Sequence, residues 1–311
     1  MDSGSDTLRS LVAAELAEPV DPRVTQMAAA LAALYPGTAR AVLFYGSCLR
    51  TAELDGQMLD FYLIVSSYEA AYGKRWLARA NRAVPPNVFP FEHQGLAAKY
   101  AVLSEADFIR LNGPRTLSVS VWARFAQPSR LVWAADEAAG ISAADAIALA
   151  APTLLGEAAP LLGGGMVDPL VLWRQAFALT YSAELRAERQ GRAVSVVEAD
   201  PERYRHFTGP AAEAAGLGSL VGDALHLNPA SERERRRAAQ RWARRRRAGK
   251  ALSVLRLAKA SFTFAGGADY LAWKINRHAG TDIVLKPWQR RWPLLGAVTL
   301  LPRLLKRGAI R

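Results

Sequence analysis

The chain has 311 residues, 51% of them apolar, with 40 Lys and Arg against 28 Asp and Glu for a net charge of +12. That length holds one large domain or two ordinary ones with a real core, and a single cysteine, Cys48, excludes a disulfide framework within the chain. The basic surplus points to an anionic partner: nucleic acid, nucleotide or acidic lipid.

The opening segment is acidic and broken by Pro19 and Pro22, without the basic start and apolar run of a signal peptide. No run of about 18 uninterrupted apolar residues is present, so a spanning helix is not expected. Helical spacing covers residues 5–35 and ends at Pro36-Gly37. "ARAVLFYGS" reads as a strand ending in a turn, "LDFYLIVSS" as a second strand, and "YEAAYGKRWLARANRAV" as a helix. "PPNVFPFE" and "AAKYAVLS" read as two strands joined near Gly95, followed by a helix from "EADFIRL". In "SVSVWARFAQPSRLVWA", Pro128 joins a helical half to a strand-like half. From about residue 137 the pattern is helical, including helices from about 200 and from about 231 to 247, with another after Gly249. The expected class is α+β: an N-terminal α+β domain over 1–140, a helical domain over 141–250, and a basic amphipathic segment over 251–311.

The chemistry concentrates between residues 43 and 65. Asp60 sits between Leu59 and Phe61 in an otherwise greasy strand, and a lone carboxylate there is costly unless something pairs with it. Gly46 lets the backbone come close to a triphosphate, and the Ser47 hydroxyl with nearby N–H groups suits phosphate oxygens. A carboxylate on the next strand suits Mg²⁺ bridging those phosphates. Strand, Gly-Ser turn, short helix and acidic strand together resemble the nucleotidyltransferase fold related to DNA polymerase beta. That fold usually carries Asp-x-Asp on one face of the strand. Here the sequence is Asp60-Phe61-Tyr62, so Tyr62 stands where the second carboxylate is expected. A two-metal site would draw another acid from Asp55, Glu53 or Glu184; a one-metal site would not.

From about Tyr45 to His278 the chain resembles the mitochondrial phosphatidate cytidylyltransferases of the translocator-assembly-and-maintenance family. The resemblance rests on "YGSCLR", "MLDFYLIV", "PPNVFPFE", "AKYAVLS", "WARFAQPSRLV", "ALTYSAELRAE" and "LSVLRLAKASFTFAGG", in that order. The chain departs from the family where Val65-Ser66-Ser67 replaces Val-Asp-Asp, where a glutamine shortly after Gly-Ser is missing, and where Ala183-Glu184 replaces Gly-Asp. It looks like a divergent, bacterial relative.

The resemblance implies a peripheral membrane enzyme that makes CDP-diacylglycerol and pyrophosphate from CTP and phosphatidic acid with Mg²⁺. Asp60 is then the metal ligand, with Glu184 as the candidate second carboxylate. Tyr45, Gly46 and Ser47 face the nucleotide. Lys99, on a strand, is placed to meet a phosphate, and Arg124 offers a bidentate fork to one. Arg256 and Lys259, three apart on a mostly apolar helix, suit the lipid phosphate. None of the four histidines has metal-ligand spacing. Nine arginines between Arg233 and Arg247, and a tail with seven Lys or Arg, Trp288 and Trp292, suit an anionic membrane surface. Nucleic acid is not the expected partner, and the expected location is the inner face of the cell membrane. Two alternatives stand beside this: transfer to another acceptor, RNA or a small molecule, and a degenerate relative that binds lipid or nucleotide without catalysis.

Overall fold

The computed structural model describes residues 3–184 and 192–263, with Val284, Lys286 and Pro287. Two helices, α1 (Ser3–Leu16) and α2 (Pro22–Ala33), precede strand β1 (Ala39–Tyr45), and the short helix α3 (Ser47–Thr51) leads to β2 (Met58–Val65). Then come α4 (Tyr68–Ala71), α5 (Arg75–Ala83), β3 (Asn87–His93), β4 (Leu96–Ser104), α6 (Glu105–Asn112), α7 (Trp122–Phe125) and β5 (Ser129–Ala134). The second half holds α8 (Glu137–Ala148), α9 (Ala150–Ala158), β6 (Gly165–Val167), α10 (Pro169–Ala183), α11 (Arg192–Glu198), α12 (Pro201–Ala214), β7 (Gly218–Val221), β8 (Ala224–Leu227) and α13 (Glu232–Thr263).

The architecture is α+β, built on a five-stranded mixed sheet in the order β3-β4-β2-β1-β5. The β2–β4 pair is parallel and the other pairs are antiparallel. The β2 run reads as continuously apolar because both faces of the sheet are covered. Leu59, Phe61, Leu63 and Val65 pack with Val24, Met27 and Leu31 of α2 on one side. Tyr62 and Ile64 point to the other side, into a core that continues through Phe125, Leu154, Trp173 and Tyr204 to Trp242. Asp60 shares that second side by alternation.

Helix starts follow the sequence. Asp21, Ser104, Asp136, Asp168 and Asp200 each cap a helix by accepting a backbone N–H, and each cap contributes about 1 kcal/mol. Three readings need correction. "YEAAYGKRWLARANRAV" forms two helices, α4 and α5, separated around Gly73. The helical half contains a small sheet, β6-β8-β7, that periodicity did not indicate. Gly249 does not end a helix: α13 runs through it, and a Cβ there would meet the Ala183 carbonyl oxygen at 2.0 Å. The glycine serves close packing between α10 and α13. The stretch Glu137–Leu161 is apolar and long enough to cross a membrane by length and composition, and its Ala143, Ile147, Leu154 and Leu155 are buried in the core.

Candidate functional site

Asp60 lies at the centre of the corner that its sequence neighbourhood suggested. In the sheet it stands opposite Tyr45 on β1 and beside Lys99 on β4. The Lys99 ammonium contacts Asp60 Oδ1 at 2.8 Å, with the two side chains 31% and 16% exposed. Gly46 follows Tyr45 with φ near +96°, and a Cβ there would come within 2.8 Å of Asp60 Oδ2. The glycine therefore satisfies a positive-φ backbone and leaves room beside the second carboxylate oxygen that a side chain would fill. Ser47 opens α3 and is exposed beside this corner.

The arginines come from elsewhere in the chain. The fork of Arg124 is pinned by the Ser120 carbonyl and hydroxyl, and its charge lies close enough to Tyr45 to act on the phenol. Burial opposes its charge, but Tyr62, Glu184, Tyr45 and Asp60 around it outweigh burial and hold the guanidinium pKa above its ordinary value. Burial, reinforced by Asp60 and Tyr62, pushes the Tyr45 phenol well above its usual range. Tyr45 therefore stays neutral. Its ring lies 5.2 Å from that of Tyr62, which in turn sits 5.1 Å from Phe125.

Glu184 follows α10 and approaches Arg256 of α13 at 4.0 Å. Arg256 also donates to the Pro85 carbonyl at 2.9 Å and to the Ser118 hydroxyl at 3.0 Å. Lys259 donates to the Val84 carbonyl and, at 2.9 Å, to the Pro86 carbonyl. Two cations on successive turns of α13 thus grip three consecutive carbonyls of the turn between α5 and β3. Burial, then the nearby Arg256 charge, brings the Lys259 amine down to about 7. Burial likewise lowers Arg256, with Arg124 reinforcing and Glu184 and Tyr62 opposing.

Tyr45, Asp60, Lys99, Arg124, Glu184, Arg256 and Lys259 thus fall into one connected region. Asp60 pairs with Lys99 and Glu184 with Arg256, Arg124 lies beside Tyr45, and Lys259 adjoins Arg256. Sequence reasoning missed Ser118 and Ser120, which hold the two arginines. The only trace of them is their shared parity in "SVSV". It also missed the carbonyls at 84–86, which the Pro85-Pro86 pair marks as a turn. Of the other acids considered, Asp55 is ion-paired with Arg23 at 2.9 Å and is largely exposed.

A metal has one donor pattern to use here. Among the described residues no three His, Cys, Asp or Glu side chains gather to hold an ion. Asp60, with the space beside Oδ2 that a Cβ at Gly46 would fill, fits a Mg²⁺ that takes one protein carboxylate and draws its other ligands from phosphate and water.

The arginine-rich stretch divides by burial. Arg245 is buried against Glu157, with 2.6 Å between the charged groups. Arg233, Arg236, Arg237, Arg244, Arg246 and Arg247 are exposed. The tail with Trp288 and Trp292, and His278, lie outside the described residues.

No family model matches the chain, and no curated protein matches it in sequence. Among solved structures it is similar to a nucleotidyltransferase-like protein from Exiguobacterium sibiricum, at 12% identity over 92% of each chain, with a TM-score of 0.25 that is too low to place the two folds together.

Proposed function

We propose that the protein is a nucleotidyltransferase, and specifically a CTP:phosphatidate cytidylyltransferase that forms CDP-diacylglycerol and pyrophosphate at the inner face of the cell membrane. The observation that carries the reading is the corner itself. A carboxylate beside the side-chain-free Gly46 adjoins Ser47, with Lys99, Arg124 and Arg256 brought to the same region from three other segments. Such a site suits two anionic reactants that must meet.

In this reading Gly46, Ser47 and Tyr45 receive the triphosphate, and Arg124 and Lys99 oppose its charge. Mg²⁺ on Asp60 would supply neutralisation of the nucleotide phosphates. A phosphate oxygen of phosphatidic acid forms a bond to the α-phosphorus. The bond from that phosphorus to the oxygen bridging to the β-phosphorus breaks, and pyrophosphate leaves with the electron pair. The nucleophile is already an anion, so no strong general base is required, and the chain's work is positioning and charge balance. Arg256 and Lys259 adjoin the acceptor's phosphate while anchoring α13. The exposed arginines of α13 supply the attraction to an anionic surface, about 1 kcal/mol for each residue near it.

The test is formation of CDP-diacylglycerol and pyrophosphate from CTP, Mg²⁺ and phosphatidic acid in mixed micelles, with each other nucleoside triphosphate in parallel. CTP-specific product that falls by about 10³-fold or more in Asp60→Asn supports the reading. A folded protein giving no product with any triphosphate would sink it. One observation favours a second reading: Tyr62 in place of an acid and Lys99 already seated on Asp60 fit a relative that binds CTP without transferring it. Saturable CTP binding without turnover would mark that case.

A further inference from the structure

We propose that Arg124 takes, as fixed protein charge, the place that a second divalent ion occupies at two-carboxylate sites, so that this site works with a single metal ion. The inference rests on the nucleotidyl-transfer reading above and deepens it.

The register of β2 is the first support. Asp60 and Tyr62 lie on one face of the strand, so the position from which a second carboxylate would reach an ion holds a phenol. Tyr62 is 2% exposed and wedged between the rings of Tyr45 and Phe125. A phenol enclosed between two rings is a poor ligand for a hard dication, which prefers charged or carbonyl oxygen.

The same helix turn that closes over Tyr62 delivers the replacement. Phe125 of α7 covers the ring, 5.1 Å from Tyr62 and 6.1 Å from Tyr45, and the preceding residue, Arg124, carries its guanidinium into the same neighbourhood. Tyr45 stands opposite Asp60 in the sheet, so Arg124 and the Asp60 carboxylate flank the same corner. The guanidinium is held by the Ser120 carbonyl and hydroxyl, which fixes its direction before any ligand arrives. It carries charge at every working pH and presents a planar fork to a phosphate.

Charge balance is the second support. Asp60 and Glu184 face three permanent or near-permanent cations in Lys99, Arg124 and Arg256. The site already has a positive surplus before any metal binds. One dication on Asp60 adds to that surplus in a way a triphosphate and an acidic acceptor can absorb. A second would face Arg124 across a short gap without a carboxylate of its own, and a dication about 4 Å from a guanidinium is repelled by about 8 kcal/mol at the effective dielectric of such a site.

The experiment is a crystal of the full chain grown with Mn²⁺ and a non-hydrolysable CTP analogue, measured for manganese anomalous scattering. One peak bonded to Asp60, with Arg124 on an α- or β-phosphate oxygen, is the expected result. Two peaks at the reacting phosphates overturn the one-metal inference while leaving nucleotidyl transfer standing. Nucleotide bound away from Asp60 overturns both. In solution, Arg124→Gln is expected to lower kcat by about 10²-fold or more with KM for CTP changed less than about threefold, and Arg124→Lys to recover part of the loss. A rise in KM with kcat unchanged would reduce Arg124 to a binding group and overturn the inference.

Discussion

Two arginines, Arg245 and Arg124, show how neighbours decide what a cation does. Arg245 is sealed. Its guanidinium meets Glu157 at 2.6 Å and the carbonyls of Pro114 and Thr116 at 3.3 Å. It also lies 5.7 and 5.4 Å from the ring centres of Trp122 and Trp242. Every neighbour is supplied by the protein, and a ligand has no way in. Arg124 has an equally ordered first contact in Ser120, but beyond it lie the partly buried Tyr45, Asp60 and Glu184. The first cluster spends its charge on holding α13 to α9, whereas in the proposed function the second keeps its charge for a ligand.

That contrast breaks first at Glu157. Glu157→Ala leaves Arg245 buried without its counter-charge and should cost about 3–5 kcal/mol of stability, read as a shift in the denaturant midpoint. A loss below about 1 kcal/mol would mean that the carbonyls alone satisfy Arg245 and that the cluster is not a fastening. The matching change at the Asp60 corner is smaller in stability and larger in activity. Lys99→Met removes a partly exposed partner of Asp60 and should cost less than about 1 kcal/mol, while nucleotidyl transfer falls by at least about tenfold. Equal effects on both measurements would make Lys99 a structural residue.

The smallest effect concerns pH. Folded Lys259 loses its proton near pH 7, whereas the unfolded side chain keeps it to about 10.5. Between those values the unfolded chain binds more protons, so stability rises with pH over that window and is flat in this respect below it. The neutral amine still has two N–H donors for the Val84 and Pro86 carbonyls. Denaturation at pH 6.5, 8 and 9.5 should show the rise in the wild type and a flatter profile in Lys259→Met. Parallel profiles would show that Lys259 titrates like a solvated lysine.

Much of this was legible from local pattern. The run from β1 through Gly46 to Asp60 carries its own signals: a strand, a glycine at a turn and an acid out of place among apolar residues. The reason β2 looks uniformly greasy is equally local, since both of its faces are covered. The sheet β6-β8-β7 left no usable trace, because strands of three and four residues are too short for a period of two to stand out. Gly249 misled for a physical reason. Glycine ends helices by adopting a left-handed backbone, yet here it is the lack of a side chain that matters, letting Ala183 come close. Among nine neighbouring arginines nothing in the sequence marks Arg245. Its partner Glu157 lies 88 residues away, and only tertiary structure joins them. The grip of Arg256 and Lys259 on the turn at 84–86 is non-local in the same way.

The helix α13, 32 residues long and so about 48 Å from end to end, has a consequence for the order in which the protein is made. It fastens to Glu157 near its beginning and to the carbonyls of Val84, Pro85 and Pro86 near its end. A chain emerging from the ribosome presents the residues of its sheet and Gly46 corner long before residue 259 is available. Until then Glu184 has no Arg256 beside it, and the turn at 84–86 has nothing to hold it. The Glu184–Arg256 pair and the hold of α13 on the turn at 84–86 are therefore among the last contacts the growing polypeptide can make.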